Sequence, residues 1–154
     1  MTTPYYFEDM KIGDILRFGP LTLERDSLIA FAREYDPQPF HLSDEAAAAT
    51  HFGSLAASGW QVTALFMKMF LAELRKVPGA QEASLGAIGI DELRWLRPVR
   101  AGDTLGGTSE VIEKKASRSR PEMGIVKSRV TLRNQLDEIV MTMLPITMVR
   151  TRPA

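Results

Sequence analysis

Cysteine is absent from this chain of 154 residues. Its absence excludes disulfide bonds, zinc sites built on thiolates and a cysteine nucleophile, and it fits a reducing compartment. Histidine is scarce: His41 and His51 are the only two, and they do not lie at the spacing of a metal-ligand pair, so we expect no metal site. The 19 basic and 19 acidic residues cancel, so no overall field attracts nucleic acid or an anionic membrane.

Long apolar runs are also missing. None approaches the roughly 20 residues that cross a bilayer, and residues 1–9 lack the basic region and apolar core of a signal peptide. Apolar residues make up 45% of the chain and charged residues 25%, with no repeat and no linker. We therefore expect one globular domain over residues 1–154, located in the cytoplasm.

The first half of the chain carries helical signals. Residues 15–23 contain two short apolar runs and predict an early strand or hairpin. Asp26 is predicted to cap a short helix that ends by Tyr35, and Ser43 to cap another over residues 44–49. A longer helix is predicted over residues 58–74, where apolar side chains recur on one face.

The second half changes to alternating, β-branched residues, which favour strands. Four strands are predicted, at Ser84–Leu96, Asp103–Lys114, Gly124–Asn134 and Glu138–Val149. With one long helix inserted before them, these strands indicate an α+β fold in which a helix packs on an antiparallel sheet. The uncovered edge of such a sheet favours a homodimer.

A carboxylate and an imidazole lie five positions apart in the segment Asp36-Pro37-Gln38-Pro39-Phe40-His41. Histidine titrates near neutrality, and a carboxylate beside it can hold a water molecule between an acid and a base. Each proline stiffens the loop, which favours a fixed orientation of the two groups. The alternative is a simple turn with a surface histidine.

The entrance of the long helix offers a second chemical group. Gly59 allows close approach of a ligand, and the first turn of a helix has unpaired N–H donors that can stabilise an oxyanion. Ser58 and Gly59 can equally be an ordinary helix cap and a packing glycine. Trp60 is a candidate contact for the apolar part of a ligand, or an aromatic anchor of the core or an interface.

The chain resembles the MaoC-like acyl dehydratases, or (R)-specific enoyl-CoA hydratases, of the hot-dog fold. The resemblance rests on the segments Asp36–His41, Ser43–Ala49, Ala57–Gly59, Gly89–Val99 and Arg100–Leu105. It implies a long central helix wrapped by an antiparallel sheet, a homodimer, and catalytic roles for Asp36, His41 and the backbone N–H of Gly59. The family commonly has asparagine where this chain has Gln38 and often histidine where it has Ser58, and both residues are expected to lie at the substrate.

The resemblance also implies the reaction: hydration of a trans-2-enoyl thioester to an (R)-3-hydroxyacyl thioester. The expected partner is an acyl-CoA or acyl-carrier-protein substrate, with no cofactor other than the coenzyme A of the substrate. Arg118 and Arg120, in a basic turn, are candidate ligands of its phosphates, the alternative being a solvated hairpin. Two other functions are open, an acyl-CoA thioesterase and a noncatalytic acyl-thioester-binding subunit.

Overall fold

The computed structural model describes residues 5–154. The helices are α1 (Arg25–Tyr35), α2 (Asp44–Ala48), α3 (Gly59–Leu74) and α4 (Ala80–Ala83). The strands are β1 (Ile15–Thr22), β2 (Ser84–Trp95), β3 (Thr104–Ala116), β4 (Met123–Arg133) and β5 (Ile139–Arg150). Short 3-10 turns occur at Phe7–Asp9 and Pro39–His41. The long helix and the four long strands confirm the α+β architecture predicted from the sequence.

One antiparallel sheet contains all five strands in the order β1-β3-β4-β5-β2. Helix α3 packs on this sheet through Val62, Phe66 and Met69, which are almost fully buried. Aliphatic side chains of β3, β4 and β5 complete the core around them, among them Leu105, Val130, Leu132, Val140 and Met143. The α3 residues recur at helical spacing and the strand residues at every second position, so each element buries one face.

The start of α1 differs from the prediction. Asp26 is not its cap: the helix begins at Arg25, with Glu24 at the preceding position and no side-chain cap. The cause is an anchor outside the helix, because the Leu23 N–H donates to the Asp103 carbonyl and the Gly102 N–H donates to the Leu23 carbonyl. Asp26 instead lies in the first turn, where its charge is favourable to the helix dipole.

Two other local predictions hold. The segment Ile15–Thr22 is one strand rather than a hairpin, with an irregularity between Phe18 and Leu21. Ser43 caps α2 as expected, since its Oγ accepts the Ala46 N–H at 3.1 Å. Within residues 5–154, no helix combines the length and the apolar character needed to cross a membrane.

Strand β2 lies at one edge of the sheet and pairs only with β5 among the described strands. Its outward side is apolar: Ile88 and Ile90 are 56% and 45% exposed. Its register against β5 shifts between Asp91 and Arg94, where Glu92 has a φ of 50°. Such a bulge redirects the side chains that follow it, here Trp95.

Candidate active site

The loop after α1 is a tight, hydrogen-bonded turn. The Asp36 N–H donates to the last turn of α1 at Ala32, and the Gln38 N–H donates back to the Asp36 carbonyl at 2.8 Å. The His41 N–H then donates to the Gln38 carbonyl at 2.9 Å. Successive short-range bonds of this kind bring the side chains of Asp36 and His41 together, although five residues separate them.

The two side chains face each other. His41 Nε2 lies 3.3 Å from Asp36 Oδ2, and the side chains are only 7% and 17% exposed. On the other side of the ring, His41 Nδ1 lies 2.6 Å from the Ala56 carbonyl oxygen. Because a carbonyl only accepts, Nδ1 must carry a proton, and Nε2 is the nitrogen that gains or loses one.

Both oxygens of the Asp36 carboxylate receive hydrogen bonds. Gln38 Nε2 donates to Oδ1 at 2.6 Å, and the Ser58 hydroxyl donates to Oδ2 at 2.7 Å. Burial raises the pKa of Asp36, but these two donors and the neighbouring His41 outweigh burial, so its pKa lies below the ordinary value. Asp36 is therefore held as the carboxylate at neutral pH.

The segment before α3 is fixed from two sides. The Ala56 N–H donates to the Phe40 carbonyl at 3.0 Å, and the Ala57 N–H donates to the Val99 carbonyl at 2.8 Å. The Arg100 guanidinium binds the carbonyl oxygens of the adjoining loop, at 2.7 Å to Phe52 and 2.6 Å to Ser54. These bonds place the Ala56 carbonyl under the histidine and Ser58 beside the aspartate.

Gly59 is the first residue of α3, and its N–H has no acceptor among the hydrogen bonds of residues 5–154. A side chain is impossible at this position without rearrangement, because an added Cβ would lie 2.5 Å from ring atoms of Trp95. The indole is held there by its Nε1, which donates to Thr63 Oγ1 at 3.2 Å. Thr63 in turn donates to the Gly59 carbonyl at 2.9 Å.

These groups surround one cavity of about 570 Å3. Its polar wall contains Asp36, Gln38, His41 and Arg97, and the Gly59 backbone forms the adjoining corner. The apolar wall consists of Phe52, Ala57, Trp60, Val62, Trp95, Leu96, Val99 and Val140. A mostly apolar cavity with a few converging polar groups has the usual form of a small-molecule site.

The structure brings together Asp36, Gln38, His41, Gly59 and Trp60 from the predicted site. Trp60 lines the cavity with 61% of its surface exposed, and His51 lies at the same rim, stacked on Phe52. Ser58 is 0% exposed and does not line the cavity; its hydroxyl contacts the Asp36 carboxylate, so the geometry does not support the predicted substrate contact. It also makes no capping bond to α3.

Arg118 and Arg120 lie in the turn between β3 and β4, away from this cavity. That turn adjoins the end of β5 at Arg150, whereas the cavity lies at its start, near Val140. Ten residues of strand separate these points by about 30 Å. Arg120 is paired with Glu122. A phosphate-binding role for the two arginines stays a prediction, without support from the geometry of one protomer.

Four contributors to the site were missed by the sequence analysis: the Ala56 carbonyl, Trp95, Thr63 and Arg97. The carbonyl has no sequence signal. Trp95 and Thr63 meet through a contact between β2 and α3, which local patterns do not reveal. Among residues 5–154, no group of three or more acidic or histidine side chains is arranged to hold a metal ion.

The fold and the site define the class of protein. A long helix wrapped by a five-stranded antiparallel sheet is the hot-dog fold, here with a carboxylate–imidazole pair at the start of the helix. Residues 9–134 match the family described as the MaoC like domain, and the chain belongs to this family of MaoC-like dehydratases.

Relatives of known name agree with this assignment. Over 122 residues the chain is 31% identical to 3-hydroxybutyryl-CoA dehydratase of Methylorubrum extorquens, covering 77% of this chain and 71% of the relative. Over 108 residues it is 31% identical to (R)-specific enoyl-CoA hydratase of Rhodospirillum rubrum, covering 70% and 69%. The crystal structure of a MaoC-like dehydratase from Rhodospirillum rubrum matches with a TM-score of 0.87 and 36% identity, covering 97% of this chain and 99% of that one. At the level of the family, the role is that of a lyase.

Proposed function

We propose that this protein catalyses the reversible hydration of a trans-2-enoyl thioester to an (R)-3-hydroxyacyl thioester. The observation that carries the proposal is the convergence of Asp36, His41 and the free Gly59 N–H on one cavity. Such a set provides an acid–base pair for water and a donor for the thioester carbonyl. The reaction uses no cofactor beyond the coenzyme A or carrier protein that bears the substrate.

In the proposed mechanism, water binds from the cavity side in contact with both His41 Nε2 and the Asp36 carboxylate. The pair accepts one proton from this water as its oxygen bonds to C3 of the enoyl group, and it returns one proton to C2 from the same face. The Ala56 carbonyl keeps the other imidazole nitrogen protonated throughout, so the transferred proton uses Nε2.

Negative charge develops on the thioester oxygen while the C3–O bond forms. The Gly59 N–H at the start of α3 meets this charge with a fixed donor and the positive end of the helix dipole. Trp95, packed on Gly59, supplies an apolar wall beside that oxygen, where an electrostatic interaction is stronger than in water. The geometry thus stabilises the enolate-like transition state more than the substrate.

The decisive experiment follows the loss of enoyl-thioester absorbance with a panel of trans-2-enoyl-CoA substrates, together with chiral analysis of the product. Asp36→Asn and His41→Gln keep the size of each side chain but remove its proton chemistry. We expect each variant to keep a cooperative unfolding transition and to lower kcat by about a hundredfold or more. Normal turnover in either folded variant contradicts the assigned roles, and release of free thiol from acyl-CoA would identify a thioesterase instead.

We also propose that a second copy of the chain covers β2. The strand exposes Ile88 and Ile90 on its outward side, and its edge has no partner strand among residues 5–154. Long exposed apolar edge strands are normally paired or covered. A partner at this edge would lie near the cavity, since Trp95, the last residue of β2, lines it.

A further inference from the structure

A second cavity of about 350 Å3 lies at the other end of α3. Phe70 and Leu74 line it from the helix, whereas the catalytic cavity meets the helix at Gly59 to Val62. Val62 and Phe70 are about 12 Å apart along the helix axis. The buried side chains of Phe66 and Met69 lie between them, and the two cavities share no lining residue.

Two serines interrupt the apolar inner face of the sheet at this cavity. On β3, Val111 lies two positions after Ser109, on the same face of the strand, and is buried. On β4, Val126 and Val130 lie two positions before and after Ser128 and are also buried. Val111 pairs with Ser128 and Ser109 pairs with Val130, so the serines are diagonal neighbours on one face. Valine at both places would continue the pattern and fill the space.

The Ser109 hydroxyl has no hydrogen bond within residues 5–154, although the residue is only 8% exposed. The hydroxyl is accessible from the cavity, because Gln61 Oε1 is the one fully buried side-chain N or O atom without a partner within residues 5–154. Apolar side chains form most of the remaining wall, including Met10, Leu16 and Leu74. The cavity therefore combines an apolar body with two hydroxyls, those of Ser109 and Ser128, which is the usual composition of a ligand site.

Charge at the rim restricts the ligand further. Asp14 lines the cavity and accepts a hydrogen bond from the Tyr5 hydroxyl at 3.2 Å. Burial and the Asp14 charge raise the pKa of Tyr5 to about 12, so the phenol stays protonated. Lys114 does not line the cavity: its ammonium group donates to the Met10 carbonyl and lies over the Phe7 ring. An anionic ligand would meet Asp14 without a compensating cation.

We propose that this second cavity binds an uncharged, medium-chain amphiphile of the alcohol type. Its alkyl part lies against Leu16, Leu74 and Val111, and its hydroxyl bonds to Ser109. The inference rests on the second cavity alone and is independent of the reaction proposed for the first.

The test uses 1-octanol and octanoate, which share an alkyl chain and differ in charge, with the full-length protein labelled at its methyl groups. Octanol is expected to shift NMR signals of Leu16, Leu74 and Val111 in a saturable way, while Val62 and Val99 of the catalytic cavity stay unchanged. Octanoate is expected to bind at least about tenfold more weakly, because Asp14 repels it. Shifts confined to Val62 and Val99, equal binding of the two probes, or no shift up to the solubility limit of octanol would overturn the proposal.

A matched pair of variants isolates the hydroxyl. Ser109→Val and Ser109→Thr have side chains of similar shape, and only the second retains the hydroxyl. We expect octanol to bind about five- to tenfold more weakly to the valine variant than to the threonine variant, the loss of one ordinary hydrogen bond. The valine variant should also have the higher melting temperature, because a methyl group replaces a hydroxyl on the apolar inner face of the sheet. Equal octanol affinity in the two variants refutes the assigned contact.

Discussion

Replacing Ser58 with alanine removes one donor from the catalytic carboxylate and leaves the rest of the cavity in place. The hydroxyl is fully buried and donates to Asp36 Oδ2 at 2.7 Å, and the Asp36 side chain is 17% exposed. A hydrogen bond to a charged group contributes about 1.5–3 kcal/mol. Because the ionised carboxylate accepts this bond more strongly than the neutral acid does, its loss raises the pKa of Asp36.

The direction in which Ser58→Ala shifts the pH dependence of activity follows from the pKa of Asp36. The wild-type carboxylate has a depressed pKa and stays ionised well into the acid range. In Ser58→Ala, protonation of Asp36 begins at higher pH, so the acid limb of kcat/KM against pH should move to higher pH. Ser58→Thr, which keeps the hydroxyl, is the control and should move the limb less. A lower rate with an unmoved acid limb would show that Ser58 does not act through Asp36.

The same variant has a predicted effect on stability. A carboxyl group whose pKa is lowered by folding stabilises the protein above its unfolded pKa, and this contribution disappears as the pH falls through the folded pKa. The difference in melting temperature between wild type and Ser58→Ala should therefore be largest near neutral pH and smaller in acid. Thermal melts across that range measure it, and a difference independent of pH would contradict the electrostatic explanation.

Three further predictions concern other parts of the molecule. Gly59→Ala should lower the free energy of unfolding, measured by denaturant titration, by about 1–3 kcal/mol, because the added methyl group overlaps with the Trp95 ring. Adding Trp95→Ala to this variant should recover part of that loss. Changing Arg118 and Arg120 together to alanine should raise KM for CoA esters but not for pantetheine esters if they bind phosphate, and equal effects on both substrates remove that role. Ile88→Lys should shift the mass measured by light scattering from dimer to monomer, and an unchanged mass would place the interface elsewhere.

The elements with strong local patterns could be predicted from the sequence. Helix α3 begins at Gly59 and ends at Leu74, within one residue of the prediction, because its apolar face and its entrance are both encoded locally. The strands are correct to within two residues for the same reason. Asp26 failed as a cap because the neighbouring chain segment, and not the local propensity, determined where α1 begins.

The site, too, was predicted only in part: contacts within one short segment were predicted, and contacts between distant segments were not. The pairing of Asp36 with His41 depends on a short loop and was visible in the spacing of the two residues. The partner of Ser58 was not: a serine before a helix predicts a cap, but a buried carboxylate 22 positions earlier is the stronger acceptor and takes the hydroxyl. The contact of Trp95 with Gly59 depends on strand register and on the bulge at Glu92, which periodicity alone does not specify.

The bond between His41 and the Ala56 carbonyl has a consequence for the evolution of this site. Main-chain atoms are present whatever amino acid occupies position 56, so no single side-chain substitution deletes the acceptor that sets the tautomer of the ring. Parts of the wall around it, such as Phe52 and Trp60, are side chains whose size and shape can change without removing that acceptor. The form of the cavity can thus change by substitution while the backbone keeps the imidazole in the same orientation.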